Sequence, residues 1–231
     1  GDTPMRIPWS PWVEPTTELA DACAAKRFAV GRIFDPLGPL GLGGQNCAPL
    51  SLVPILLSGL DCQQLEDKGL PQLAAIKSDK DRRSTERLLT KLPILANLPG
   101  PDGADVVATI RSMLATACHT PIAPVADASH ASNDDAAACA TADRRVPLAA
   151  VVALIEALSL RVALVLEGKD GERTIEMLGP EAAPVVGGLQ VKDGHMRCLV
   201  GCGALDALGK KGLAAAQPGT LREAAAEEES V

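Results

Sequence analysis

The apolar positions of this chain change their spacing once, and the change divides it. Helical periodicity recurs over about 48–60, 62–76, 81–92 and 103–117, and "TTELADACAAKRFAV" (16–30) reads as a short helix. In that helix Thr17 is placed to cap, and Leu19, Cys23 and Phe28 can share one broad face. Pro147 then opens "PLAAVVALIEAL", where Leu148, Val151, Val152 and Ile155 form a further helical stripe. Beyond it the period falls to two. Residues 161–168 and 172–178 read as strands around an Asp-Gly turn, and 187–200 repeats the device around Asp193-Gly194. Alternation there puts His195, Arg197 and Leu199 on one face and Met196, Cys198 and Val200, read as core, on the other.

Other stretches carry no period. Residues 1–15 hold four prolines and both tryptophans and predict an extended arm. "FDPLGPLGLGG" (34–44) is a turn-rich loop, and small polar residues over 120–145 predict a surface loop or flexible insertion. No internal repeat is evident. Helices first and strands last predict an α+β fold, with a mostly helical N-terminal part packed on a small C-terminal antiparallel sheet. The expected division is an arm and short helix over 1–33, a main domain over 34–212, and an acidic Ala/Glu-rich tail over 213–231.

Composition narrows the partners. Aromatic residues are only 2% of the chain, so Leu, Val, Ile and Ala must build the core. A net charge of -7 argues against nucleic acid, because phosphate binding needs a basic surface. The Lys/Arg-rich stretch 77–91 has acids interleaved and reads as a solvated helix face. No apolar run reaches the roughly 18 residues of a membrane span. Seven cysteines without dense spacing fit a reducing, cytoplasmic setting better than a disulfide framework. The chain begins "GDTPMR" without an initiator Met, which is expected of a piece cut from a larger polyprotein.

Candidate chemistry centres on "GLGGQNCAPLSLVPILL" (41–57). Gly43-Gly44 frees the backbone to turn amides inward, and Pro49 suits a first helical turn, which places Cys47 near the N-cap. Free N–H groups and the helix dipole at that position favour a thiolate. The same donors can hold an oxyanion, assisted by Gln45 or Asn46. Pro54 is expected to kink or shorten the helix. The bland alternative is a small buried thiol.

A thiol nucleophile needs a base, and there are three histidines. His119 ends a helical pattern and His130 lies in the low-complexity stretch, whereas His195 begins a strand directly after a tight turn. "CLVGC" (198–202) and Cys118-His119 match no common zinc spacing, so neither a metal nor a cofactor is expected. A phosphate loop is excluded because no Lys-Ser/Thr follows the glycines.

The ordered pair, "GGQNCAPLSLVPIL" and then "VVGGLQVKDGHMRCLV", resembles the ovarian-tumour-type (OTU-like) and viral papain-like cysteine proteases. In them an Asn-Cys at a helix start is paired with a His on a C-terminal strand. The likeness covers about half the chain, in two blocks. It implies a Cys47–His195 dyad, an oxyanion site around Gly44, Gln45 and Asn46, and two kinds of substrate, viral polyprotein cleavage sites and ubiquitin or ubiquitin-like proteins, in the host cytoplasm. Two positions depart from the pattern. Gly44 stands where the cellular branch has an acid, and Arg197, two after His195, cannot accept an imidazole N–H. The Asp-x-His arrangement of the herpesvirus deubiquitinases fits Asp193-Gly194-His195, which makes Asp193 a candidate third member as well as a turn residue. Asp35 is a weaker candidate. The competing reading is a non-catalytic interaction or scaffold domain of a larger polyprotein.

Overall fold

Residues 8–9, 11–36, 44–78, 101–119, 131–202 and 219–220 are described by the structure, a computed structural model. The chain pairs β1 (Pro8–Trp9) with β8 (Gly219–Thr220), and the remaining strands form one six-stranded sheet. Those strands are β2 (Trp12–Val13), β3 (Val30–Phe34), β4 (Arg161–Glu167), β5 (Arg173–Leu178), β6 (Val185–Lys192) and β7 (His195–Gly201). Their order is β2-β3-β7-β6-β4-β5, antiparallel throughout except for the parallel β4–β6 pair. Around the sheet lie α1 (Thr17–Ala25), α2 (Cys47–Gly59), α3 (Cys62–Asp67), α4 (Pro71–Ser78), α5 (Pro101–Ala117), α6 (Asn133–Ala140) and α7 (Leu148–Ala157). The fold class is α+β.

The sheet departs from the expected small antiparallel one. It is mixed, and it recruits two strands from the N-terminal part. The boundary expected after residue 33 therefore falls inside β3. The helix expected over 16–30 stops at Ala25: Arg27 turns left-handed (φ 62°), and the Phe28 and Arg27 amides donate to the Cys23 and Ala24 carbonyls. That closure reverses the chain into β3. Thr16, rather than Thr17, is the N-cap, its hydroxyl accepting from the Leu19 amide at 3.2 Å. Over 62–76 the single expected helix is two, because Gly69 (φ 76°) closes α3 in the same manner and Pro71 starts α4. Within 120–145 the described part contains a helix, α6, begun by a reciprocal cap between Ser132 and Asp135. The helix expected over 81–92 and the tail over 213–231 lie outside the described residues, apart from 219–220.

The centre of the molecule is α2. All its residues from Cys47 to Leu57 are buried, Pro54 included, and the helix continues through that proline to Gly59. A helix apolar all round belongs inside a protein. Here one side meets β6 and β7, and the other meets α4 and α5. Lys77 closes its far end by donating to the Leu57 and Leu60 carbonyls. Met196, Cys198 and Val200 join the α2 core, whereas Leu199 packs on the opposite face with Leu19, Cys23 and Phe28 of the α1 segment. The expected alternation therefore holds, with apolar cover on both faces. Gly187 admits this packing: a Cβ there would stand 3.2 Å from Ile55.

Candidate active site

The segment that delivers Cys47 is short. Gly44–Asn46 form one 3-10 turn that runs directly into α2, so the cysteine is the first residue of a buried helix. One turn further on, the buried Ser51 hydroxyl donates to the Met196 carbonyl at 3.0 Å and ties α2 to β7. The helix start is thereby held against the first residues of that strand.

His195 arrives from the other direction. A two-residue hairpin joins β6 to β7, with Lys192 opposite His195 and with Asp193 and Gly194 both left-handed (φ 51° and 73°). Asp193 is an exposed turn residue. The carboxylate on the imidazole is instead Asp35, whose Oδ1 lies 2.9 Å from His195 Nε2. Strand register is the reason. Phe34 of β3 pairs with Cys198 of β7, so the next residue along β3 stands beside the start of β7 on the face of His195 and Arg197. The Asp35 amide is anchored to the Pro11 carbonyl at 2.6 Å. Arg197, unable to accept from the imidazole, donates to Gln190 at 2.8 Å and stands 3.9 Å from the second oxygen of Asp35.

With Nε2 taken by Asp35, His195 Nδ1 remains. It is buried, it has no hydrogen bond of ordinary geometry among the described residues, and the Cys47 thiol is the other side chain acting on the ring. The electrostatics follow. The bond to Asp35 and, next, the interaction with Cys47 push the His195 pKa up to about 9 against the opposing effect of burial. For Cys47, burial acts upward, but His195, the Met196 backbone and the charge of Arg145 outweigh it, and the thiol is held below its ordinary range. The raised imidazole and the lowered thiol both move the pair towards imidazolium beside thiolate. Arg145 is exposed and covers the turn glycine, where a Cβ on Gly194 would collide with its guanidinium.

Of the residues singled out in the sequence, Cys47 and His195 meet, Asn46 and Gln45 lie beside them, and Asp193 stays in its turn. His119 is exposed after α5, and His130 lies outside the described residues. All seven cysteines are free, and no group of three metal-ligating side chains occurs among the described residues. Nor is any described helix long and apolar enough to cross a membrane. Arg111 and Arg145 carried no local signal: each sits in a segment whose pattern shows only a helix or a loop. Compared with known proteins, the chain matches no family model and no curated protein.

Proposed function

We propose that this chain is a thiol-dependent hydrolase, a papain-like or OTU-like cysteine protease of a viral polyprotein that also removes ubiquitin. The observation that carries the reading is the convergence of Asp35, His195 and Cys47 from three separate segments, with the imidazole bonded at Nε2 and free at Nδ1 for the sulfur. A nucleophile, a base and a group that orients the base are what acyl transfer requires.

In the reaction, Cys47 Sγ attacks the scissile carbonyl carbon and the C=O π electrons move to oxygen. His195 gives its Nδ1 proton to the leaving nitrogen as the C–N bond breaks, which leaves a thioester. Water then attacks the thioester while Nδ1 takes its proton. The C–S bond breaks, thiolate returns and a carboxylic acid is released. Asp35 keeps the imidazole oriented and stabilises its protonated form.

The test is labelling by a ubiquitin probe with a thiol-reactive C-terminus, applied to the parent, Cys47→Ala and His195→Ala. Labelling that needs Cys47 and weakens without His195 is the expected result. Absence of labelling, together with a Cys47 inert to small alkylating reagents at neutral pH, would leave a scaffold domain.

A further inference from the structure

The guanidinium of Arg111 is the most heavily bonded group among the described residues, and its partners are unusual. The residue is 4% exposed on α5, and no carboxylate forms an ion pair with it among the described residues. All its bonds go to neutral oxygens. Nη1 donates to the carbonyls of Cys139 (3.1 Å), Thr141 (3.0 Å) and Ala138 (3.4 Å). Nη2 donates to the carbonyls of Arg144 (2.9 Å) and Gln45 (3.1 Å), and Nε donates to Asn46 Oδ1 at 2.9 Å. Six oxygens thus share five N–H groups. Asp143 and the Cys47 and Cys139 thiols act on the guanidinium only through space, so its burial rests chiefly on hydrogen bonds, and these are complete.

Four of these acceptors belong to the end of α6 and the chain after it. The other two are the residues immediately before Cys47. Arginine can only donate, so Asn46 must turn its oxygen to Arg111 and its amide nitrogen away. Asn46 occupies the N-cap position of α2 with its backbone at φ -98°, ψ 15° rather than extended, and it makes no side-chain cap bond. The Asn46 oxygen is held by Arg111, and the amides at the head of α2 have no side-chain acceptor from the N-cap residue.

We propose that Arg111 is a positioning residue that builds the oxyanion site. By clamping Gln45 and Asn46, it keeps the Asn46 carboxamide nitrogen and the amides at the head of α2 available to the oxygen that becomes negative when Cys47 is acylated. This rests on the thiol-hydrolase reading. Donors of this kind matter only when charge develops on a carbonyl oxygen, whereas alkylation of a thiolate develops none.

The two reactions therefore separate the role. Burst acylation by p-nitrophenyl acetate and alkylation by iodoacetamide would be followed at Cys47 across pH, in the parent, Arg111→Met, Arg111→Lys and Asn46→Ala. Folding would be checked by thermal melting. The expected result is an acylation rate lowered by about 10²-fold in each variant, with alkylation and its pH midpoint unchanged in Asn46→Ala and Arg111→Lys, which keep the charge that acts on Cys47, and only a small upward move of the midpoint in Arg111→Met. Lysine is not expected to rescue, having three donors for six acceptors. Should Arg111→Met fail to fold, Asn46→Ala, a partly exposed change that breaks the clamp at its other end, decides the matter by the same split. Equal loss of both reactions, or loss of neither, in folded variants overturns the proposal. So does a parent whose alkylation is normal but whose Cys47 is not acylated. That outcome condemns the thiol-hydrolase reading as well, whereas the first two leave it standing.

Discussion

Two buried thiols act on Arg111, and their chemistry diverges. Cys139 on α6 is 0% exposed, with Cys118 at the end of α5 as its neighbour; burial pushes its pKa up to about 12. Cys47 is 6% exposed and belongs to the same core, yet its pKa moves down. Burial acts upward on both. Each thiol has a cation nearby, Arg111 for Cys139 and Arg145 for Cys47; the difference is an imidazole and a backbone hydrogen bond, both supplied to Cys47 by the hairpin end of β7. Depth alone makes a cysteine inert, and partners make it reactive.

Removing the partner should erase the contrast. His195→Ala is expected to lower hydrolysis by about 10²–10⁴-fold. Alkylation of Cys47 at pH 6–7, followed by peptide mass spectrometry, should fall towards the rate of Cys139. A Cys47 as reactive as the parent's would mean that the helix start alone activates the thiol.

Asp35→Asn is a milder break. The folded pKa of His195, about 9, lies above its ordinary 6.5, so this pairing stabilises the fold fully below about 6.5 and ceases to do so as pH rises through about 9. The variant should therefore melt below the parent most clearly at pH 6 and converge with it above pH 9. Catalysis should show the same origin: the alkaline limb of the rate, set by loss of the imidazolium proton, should move to lower pH in the variant. An unmoved limb would deny Asp35 its part.

The smallest effect is expected at the turn. Gly194→Ala places a Cβ at φ 73° against the Arg145 guanidinium, which must then swing away. A stability loss of about 1–2 kcal/mol in denaturant titration follows from the left-handed backbone. With Arg145 displaced, the pH midpoint of Cys47 alkylation should rise slightly. A constant midpoint would assign the lowering to His195 and the Met196 backbone alone.

Much of this molecule is written locally. Hydrophobic period located the helices at 48–60 and 148–157, Asp193-Gly194 announced the β6–β7 hairpin, and Gly-Gly-Gln-Asn-Cys marked the helix start that carries the candidate nucleophile. Such signals act over three or four residues, through caps, turns and side-chain spacing, and can be read without knowing what lies opposite. Gly69 was equally local, but the apolar period on both sides of it masked the break between α3 and α4.

Asp35 and Arg111 are of another kind. Nothing near Asp35 distinguishes it from an ordinary loop acid. It reaches His195, 160 residues away, because β3 enters the sheet beside β7 in one particular register, and a slip of one residue would turn it to the other face. Arg111 likewise looks like one more polar residue on a helix until α5 packs beside α2 and α6, 65 residues beyond the turn that it clamps. The sequence by itself determined which thiol and which imidazole stand at the ends of rigid elements. Only tertiary packing decided which carboxylate orients the imidazole and which guanidinium holds the turn, because those choices depend on strand register and helix docking between distant segments.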